Sequence, residues 1–282
     1  MEHLTFGADQ GAVEQVRSAL ASFDRVGVAY SGGVDSATLL ALASLEIGPA
    51  RVVALLGVSP SLATAERTAA HEVAAFIGVP VVEVLTHEGD NPAYQRNGPD
   101  RCFHCKDELF TRIDDTVVVA HRLDAVAYGE NADDAQRPDR PGSRAATEHH
   151  VLRPLADAGL DKAAVRRVAR ILELPCADKP AAPCLASRIP HFEEVSPEKL
   201  AQVEAAEAGL RSLGFADCRV RHHGEVARIE LASADIPRAT DPLVRGEVEA
   251  VVRAAGFRFV TVDLAGIQSG AFTLPLVAAA RD

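Results

Sequence analysis

The chain contains no tryptophan, so any stacking on a flat ring has to use Phe, Tyr or His. No apolar run approaches the roughly 18 residues that a membrane-spanning helix needs, and no membrane partner is expected. The opening residues MEHLTFGADQ lack the basic start and apolar block of a signal peptide, so the expected location is cytoplasmic. Cysteine is scarce: five residues, an odd number, do not make a disulfide framework in a chain of 282. In a reducing compartment a Cys-x-x-Cys pair points instead to a metal, redox or catalytic role. Positive charge is short as well, with 29 Lys and Arg against 40 Asp and Glu for a net charge of −11. Phosphate backbones are gripped by basic faces, so a nucleic-acid partner is not expected. A small anionic substrate in a local arginine pocket is compatible. Repeats and low-complexity segments are missing too.

What is present is 48% hydrophobic and 24% charged, enough to bury a core. The first half alternates short apolar runs with helical stretches. RVGVAY (25–30), RVVALLGV (51–58), VPVVEVLT (79–86) and DAVAYG (124–129) read as strands. Helices are predicted over about 34–46, 62–77, 104–114 and 161–174, the last with Arg166, Arg167 and Arg170 on a solvated face. This rhythm predicts an α/β fold, a parallel sheet with helices on both faces. Residues 175–192, PCADKPAAPCLASRIPHF, interrupt it with four prolines and read as a linker or active-site loop. Beyond it Ser196 and Pro197 open a helix as N-cap and first helical residue. Two strands at a glycine turn (DCRVRHH, EVARIEL), a helix and a last strand (FRFVTVDL) follow. They predict a smaller α+β domain with an antiparallel sheet. The expected division is 1–174, a loop 175–195, and 196–282.

The first strand runs straight into SGGVDS, residues 31–36. Gly32 and Gly33 permit a tight turn and close approach of backbone to a ligand. The following helix offers unpaired N–H groups and the positive end of its dipole. Ser31 and Ser36 add hydroxyls. Together they predict a phosphate cradle, although the lysine of a Walker A loop is absent. The bland alternative is an ordinary strand–turn–helix corner. SGGVDS resembles the PP-loop of ATP pyrophosphatases (adenine nucleotide alpha hydrolase-like domains). That resemblance implies use of ATP, adenylation of an oxygen and release of pyrophosphate. YGENADD (128–134) is similar to a second nucleotide motif of one branch and falls at the end of the fourth strand, where open parallel sheets place ligands. Ser31, Gly32, Gly33, Asp35, Ser36, Gly129, Glu130 and Asp133 are thus the expected nucleotide residues. Asp133 and Asp134 are candidate Mg²⁺ oxygens, with a polar turn as the alternative.

RCFHCK (101–106), PCLASR (183–188) and RVRHHGEVARIE (219–230) complete the pattern. With the two nucleotide motifs they resemble the LarE family of ATP-dependent sulfur transferases, over about residues 20–265. By resemblance, such enzymes adenylate a carboxylate of a pyridinium dicarboxylate mononucleotide and convert it to a thiocarboxylate. The product goes into the nickel-pincer nucleotide of lactate racemase, and the family forms hexamers. In single-cysteine members the cysteine of PCLASR surrenders its sulfur; Cys184 stands there. A thiolate is the natural sulfur nucleophile for an acyl-adenylate. Arg188 is expected to lower the Cys184 pKa or hold phosphate. Arg219 and Arg221 share one strand face and suit an anionic nucleotide. Glu130, Glu207 and Glu230 match acidic positions that the family places near the sulfur site.

Cys102, Cys105 and Cys184 match the three thiols by which some members are thought to hold a [4Fe–4S] cluster with one open iron. Zinc with His104, a disulfide, and two thiols without metal are the other readings of RCFHCK. Cys176 and Cys218 read as packing residues, and Phe103 as either core or a stacking ring. The family tends to have a tyrosine and an arginine near the stretch that here reads DLAGIQSG, with Ile267 and Gln268. Two rival functions stay open. One is a PP-loop tRNA thiolase with an iron–sulfur cluster; the other is an adenine-nucleotide sensor whose cysteines report redox state.

Overall fold

The structure, a computed structural model, describes residues 4–136 and 142–268. The Ser269 and Gly270 end of DLAGIQSG lies outside the described residues. The chain forms two compact units, Met1–Glu88 with Cys102–Ala182, and Gly89–Arg101 with Pro183–Asp282. No described helix is long and apolar enough to cross a membrane.

The first unit opens with helix α1 (Gln10–Ala21) and then alternates β1 (Val26–Tyr30), α2 (Val34–Ile47), β2 (Val52–Val58), α3 (Thr64–Ile77) and β3 (Val81–Leu85). After α4 (Arg101–Arg112) come β4 (Ala125–Tyr128), α5 (Gly142–Glu148) and α6 (Lys162–Ile171). All strand pairs of this sheet are parallel, in the order β3-β2-β1-β4. Both faces are buried, and β2 shows why its sequence is apolar throughout. Val52, Ala54 and Leu56 pack into one core with α1, α2, α3 and α6. Val53 and Leu55 pack into a second core with Phe103, Phe110 and Tyr128. Successive side chains of a strand alternate faces, so two covered faces require an unbroken apolar run. The expected parallel α/β sheet is therefore what forms.

The second unit holds α7 (Pro197–Ser212), β5 (Cys218–His223), β6 (Val226–Leu231), α8 (Arg245–Ala254) and β7 (Phe259–Val262). Ser196 accepts a hydrogen bond from Lys199 N at 3.4 Å as the N-cap of α7, with Pro197 at its first turn. The sheet is not all antiparallel as predicted: β5 and β6 are antiparallel, but β6 and β7 are parallel. A glycine turn joins the first two strands, while α8 intervenes before the third, and a helical crossover returns the chain in the same direction. Gly209 marks the approach of α7 to α8, since an added Cβ would stand 2.8 Å from Val251 Cβ.

The linear division 1–174, 175–195, 196–282 differs from the contacts. Gly89–Arg101 belongs to the second unit because buried Asn97 donates to the carbonyls of Ile189 (3.3 Å) and Pro190 (2.7 Å), and Arg101 donates to Ala186 O at 3.0 Å. The proline-rich stretch is split. Its start stays with the first unit, held by the arginines of α6. Arg166 donates to Ala177 O and Lys179 O, and Arg170 binds Asp178. Arg167 makes a bidentate pair with Asp9. These three side chains are therefore engaged in tying down chain, not simply solvated.

Helix α4 starts earlier than the predicted 104, so RCFHCK is helical. It continues through a π-helical turn, Ile113–Val117. His149 fastens it, with Nε2 at 3.0 Å from Asp107 and Nδ1 at 2.7 Å from Asp114. Partial burial alone would lower the pKa of His149, but the hydrogen bonds to Asp114 and Asp107 outweigh it and hold the value above that of an ordinary histidine. Only the imidazolium donates from both nitrogens. The stabilisation is full below the unfolded value of about 6.5 and is lost as pH rises through the higher folded value. His149→Ala is expected to lose more stability at pH 5.5 than at pH 8.5 in urea unfolding. An equal loss at both would contradict this linkage.

Candidate functional site

In the first unit, the strand order places the carboxyl ends of β1 and β4 side by side while the chain leaves β1 toward β2. Such a reversal opens a crevice for a ligand. The loop between β1 and α2 is closed by its own serines. Ser36 Oγ accepts from Ser31 N at 3.2 Å, donates to Gly33 O at 3.1 Å and meets Ser31 Oγ at 3.2 Å. Gly32 has φ +71°, and an added Cβ would come within 2.8 Å of Ala70 Cα and Cβ. Only glycine fits that conformation and that space. Gly33 is the N-cap of α2 and provides no side-chain cap. The amides of this first turn thus lack the usual side-chain acceptor and are suited to an anion.

The second motif lies directly against the first. A Cβ on Gly129 would be 2.6 Å from Ser36 N and 2.7 Å from the Asp35 carbonyl carbon. Asn131 Nδ2 reaches Asp35 Oδ1 at 3.4 Å, and its Oδ1 caps Asp134 N at 3.0 Å. Lys162, the first residue of α6, links the set: Nζ pairs with Asp35 Oδ2 and the backbone N donates to Asp133 Oδ2 at 3.0 Å. All the predicted nucleotide residues are therefore gathered here. Glu130 is buried beside them; Ser143 Oγ donates to its Oε1, and Arg153 Nη1 stands 3.5 Å from Oε2. Burial and the neighbouring Glu130 push the Tyr128 phenol pKa up.

Cys102 and Cys105 sit one helical turn apart on α4, Cys102 exposed and Cys105 half-buried. Residues at i and i+3 share a helix face. Phe103 between them is not a stacking platform: it is buried in the second core, with the Arg144 guanidinium 3.7 Å above its ring centre. Cys176 is buried in the first core, and burial raises its pKa. None of the five cysteines is in a disulfide.

In the second unit, Cys184 is exposed and caps a short 3₁₀ turn, Leu185–Arg188. Arg188 holds this turn. Its Nη1 donates to the carbonyls of Pro183 (2.6 Å) and Cys184 (3.3 Å) and to Ser187 Oγ (3.0 Å), while Nε and Nη2 grip Glu207 at 2.8 and 3.2 Å. Glu207 is fully buried and also accepts from Arg211 (2.8 Å) and Val220 N (3.0 Å). Cys218 lies under it; burial and then Glu207 push that thiol pKa up to about 12, so it is no nucleophile.

The two-residue alternation of β5 and β6 makes the rest of this face. Val220 and Ile229 pair on the apolar side, whereas Arg219 faces Glu230 and Arg221 faces Arg228. Arg221 makes a bidentate pair with fully buried Glu230 at 2.9 and 2.8 Å and donates to Ser187 O at 2.8 Å. Arg219 and Arg221 both donate to Gln268 O at 3.2 Å. The C-terminal stretch thus contributes the backbone carbonyl of Gln268. Burial, then Arg188 and Arg221, lower the Arg219 pKa. Counting Arg188, Arg211, Arg219, Arg221 and Arg228 against Glu207, Glu230 and Asp263, the set carries two positive charges in excess.

The asparagine synthase family profile, a PP-loop domain, matches residues 10–119. An uncharacterized protein of Synechocystis is 40% identical over 261 residues, 93% of this chain and 96% of its own. The pyridinium-3,5-bisthiocarboxylic acid mononucleotide synthase of Lactiplantibacillus plantarum is 34% identical over 254 residues, 90% of each chain. The chain belongs to the LarE family. An uncharacterized protein of Methanocaldococcus jannaschii, 30% identical over 169 residues, covers 60% of this chain.

Glu130 lies in the first unit, Glu207 and Glu230 in the second. Arg188 and Glu207, expected to touch substrate or tune Cys184, pair with each other, and Glu230 pairs with Arg221 and Arg228, so they position the Cys184 turn and the arginine face. Within neither unit do three His, Cys, Asp or Glu side chains gather as a metal-ligand group among the described residues. Sequence reasoning missed Asn131 and Lys162. Asn131 carried a signal as the polar residue three before Asp134, the N-cap spacing; Lys162 had no local signal.

Two substitutions test this geometry. Glu207→Ala strands Arg188 and the buried Val220 amide and is expected to cost about 3–5 kcal/mol in urea unfolding of the second unit. Gly129→Ala forces apart β4 and the first turn of α2. It should cost about 1–3 kcal/mol and weaken ATP binding measured by titration calorimetry.

Proposed function

We propose that the protein is an ATP-dependent sulfur transferase of nickel-pincer nucleotide synthesis. It adenylates a carboxylate of a pyridinium dicarboxylate mononucleotide and converts it to a thiocarboxylate. The observation that carries this reading is the setting of Cys184: an exposed thiol on a turn clamped by Arg188 and Glu207. The synthase from L. plantarum, similar over 90% of the chain, supports the substrate. The phosphate cradle at Gly32, Gly33 and Gly129 supports ATP. Asp35 and Asp133, hard oxygen donors that both meet Lys162, suit Mg²⁺, which would neutralise phosphate charge when bound.

The chemistry follows from these groups. A substrate carboxylate oxygen attacks the α-phosphorus of ATP, the bond to the bridging oxygen breaks, and pyrophosphate leaves. The Cys184 thiolate then attacks the acyl-adenylate and expels AMP. Arg219 and Arg221 are the proposed seat of the substrate phosphate. Burial, and after it the like charges of Arg188 and Arg221, destabilise the Arg219 cation, and an anion bound there offsets both. β-Elimination then passes the Cys184 Cα proton to solvent and breaks the Cβ–S bond, so the thiocarboxylate departs with the sulfur and dehydroalanine remains.

The three thiols expected to hold a [4Fe–4S] cluster are divided between the units, Cys102 and Cys105 in one and Cys184 in the other. Among the described residues no three-ligand set is gathered within either unit. The hexamer and a cytoplasmic location are carried to this chain as proposals from the family and from the sequence respectively.

Cys184→Ala is expected to abolish thiocarboxylate formation while pyrophosphate release persists; full transfer by Cys184→Ser would overturn the assigned role. A mass loss of about 34 Da after one turnover would mark Cys184 as the sulfur source. Near four irons and four acid-labile sulfides per chain in protein purified without oxygen, lost in Cys102→Ala, would instead mark a cluster.

A further inference from the structure

The parallel sheet gains one bridge beyond β4. Leu152 pairs with Ala127 in parallel; its N donates to Val126 O and its O accepts from Tyr128 N, both at 2.9 Å. Arg153 leaves this bridge at the carboxyl end of the sheet, the end at which open parallel sheets hold ligands. Nothing local calls for an arginine there. Arg153 is the N-cap of the short helix Pro154–Asp157, a position that favours Ser, Thr, Asp or Asn, and its side chain makes no cap.

Arg153 instead meets buried polar atoms of the second nucleotide motif. Glu130 is 4% exposed and Tyr128 6%. Ser143 Oγ serves Glu130 Oε1. Among the described residues, neither Glu130 Oε2 nor the Tyr128 hydroxyl has a hydrogen-bond partner. The guanidinium approaches Oε2 only to 3.5 Å, through Nη1, longer than a good hydrogen bond. That contact supplies a counter-charge for Glu130 and an orientation for Arg153, and it engages one N–H of a group that carries several. The Arg153 side chain is 35% exposed, so its other donors can be reached. The Tyr128 phenol, kept protonated by burial and then by Glu130, is near enough to feel the Arg153 charge. A planar fork of N–H groups beside a neutral O–H donor suits a carboxylate. Gly129, the residue before Glu130, lies against Ser36 N of the phosphate loop, so these donors stand beside the nucleotide cradle.

We propose that Arg153, oriented by Glu130, seats the carboxylate of the dicarboxylate substrate that is not being activated. This deepens the sulfur-transferase reading and rests on it. The carboxylate that attacks the α-phosphorus needs its lone pairs free, and a bidentate guanidinium would occupy them. The second carboxylate has no such constraint. Held by Arg153 and the Tyr128 hydroxyl, it fixes the direction in which the first one points. No bond forms or breaks at Arg153, and no proton changes owner.

The test is titration calorimetry of the full chain. ATP is titrated alone; the pyridinium dicarboxylate mononucleotide and its monocarboxylate counterpart are then titrated with a non-hydrolysable ATP analogue present. Native protein is expected to prefer the dicarboxylate by about tenfold or more. Arg153→Gln should weaken the dicarboxylate about 10- to 100-fold, the monocarboxylate by less than about threefold, and ATP by less than about twofold. Arg153→Lys keeps a charge beside Glu130 but loses the fork. It should melt at the native temperature and still lose about tenfold in dicarboxylate affinity, so it decides the matter even if Arg153→Gln does not fold. Native dicarboxylate affinity in Arg153→Lys would overturn the proposal and leave Arg153 as a counter-charge for Glu130 alone. Equal loss of ATP and dicarboxylate binding would overturn it too, marking a phosphate contact instead. So would equal affinity of native protein for the two mononucleotides. Native protein that binds ATP but neither mononucleotide would overturn the proposed substrate itself, and this seat with it.

Discussion

Two glutamates with no solvent exposure organise the second unit. A buried carboxylate without partners is expensive, so Glu207 and Glu230 each demand a guanidinium in fixed bidentate geometry. Arg188 answers Glu207, and its remaining donors then fall on the carbonyls of Pro183 and Cys184. Arg221 answers Glu230, and its remaining donors fall on Ser187 and Gln268. Charge compensation in the core thus becomes backbone placement at the surface. The Cys184 thiol is held on a rigid turn by groups that need not touch the substrate.

The first unit solves a different electrostatic problem. The α2 N-terminus has no side-chain cap, and Gly32 and Gly129 fit beside it only because they lack Cβ atoms. Asp35 and Lys162 neutralise each other there with a half-exposed pair that is easily parted.

Much of the fold was readable in advance. The four apolar runs of the first half form a parallel sheet because apolar residues on both faces of a strand require two covering layers. SGGVDS and YGENADD meet because strands β1 and β4 are neighbours whose carboxyl ends open on one crevice. The parallel pairing of β6 with β7 was misread, since strand spacing does not reveal whether a connection turns back or crosses over. Helix α4 begins before its predicted start, and that puts Cys102 on the same helix as Cys105 instead of ahead of it.

Residue chemistry and local spacing in the sequence alone determined the nucleotide loop, the thiol inventory and the arginine alternation along β5. Each depends on neighbours within a few residues, where backbone geometry is set by sterics and hydrogen bonding. Tertiary structure alone decided that Arg188 serves Glu207, that Phe103 is covered by Arg144 and that Lys162 reaches Asp35. It also decided that Gly89–Arg101 joins the second unit through Asn97. These pairings join residues from 19 positions apart, for Arg188 and Glu207, to 127 apart, for Lys162 and Asp35. Charge and burial are satisfied in space, and a linear pattern carries no record of which distant partner supplies the compensating group.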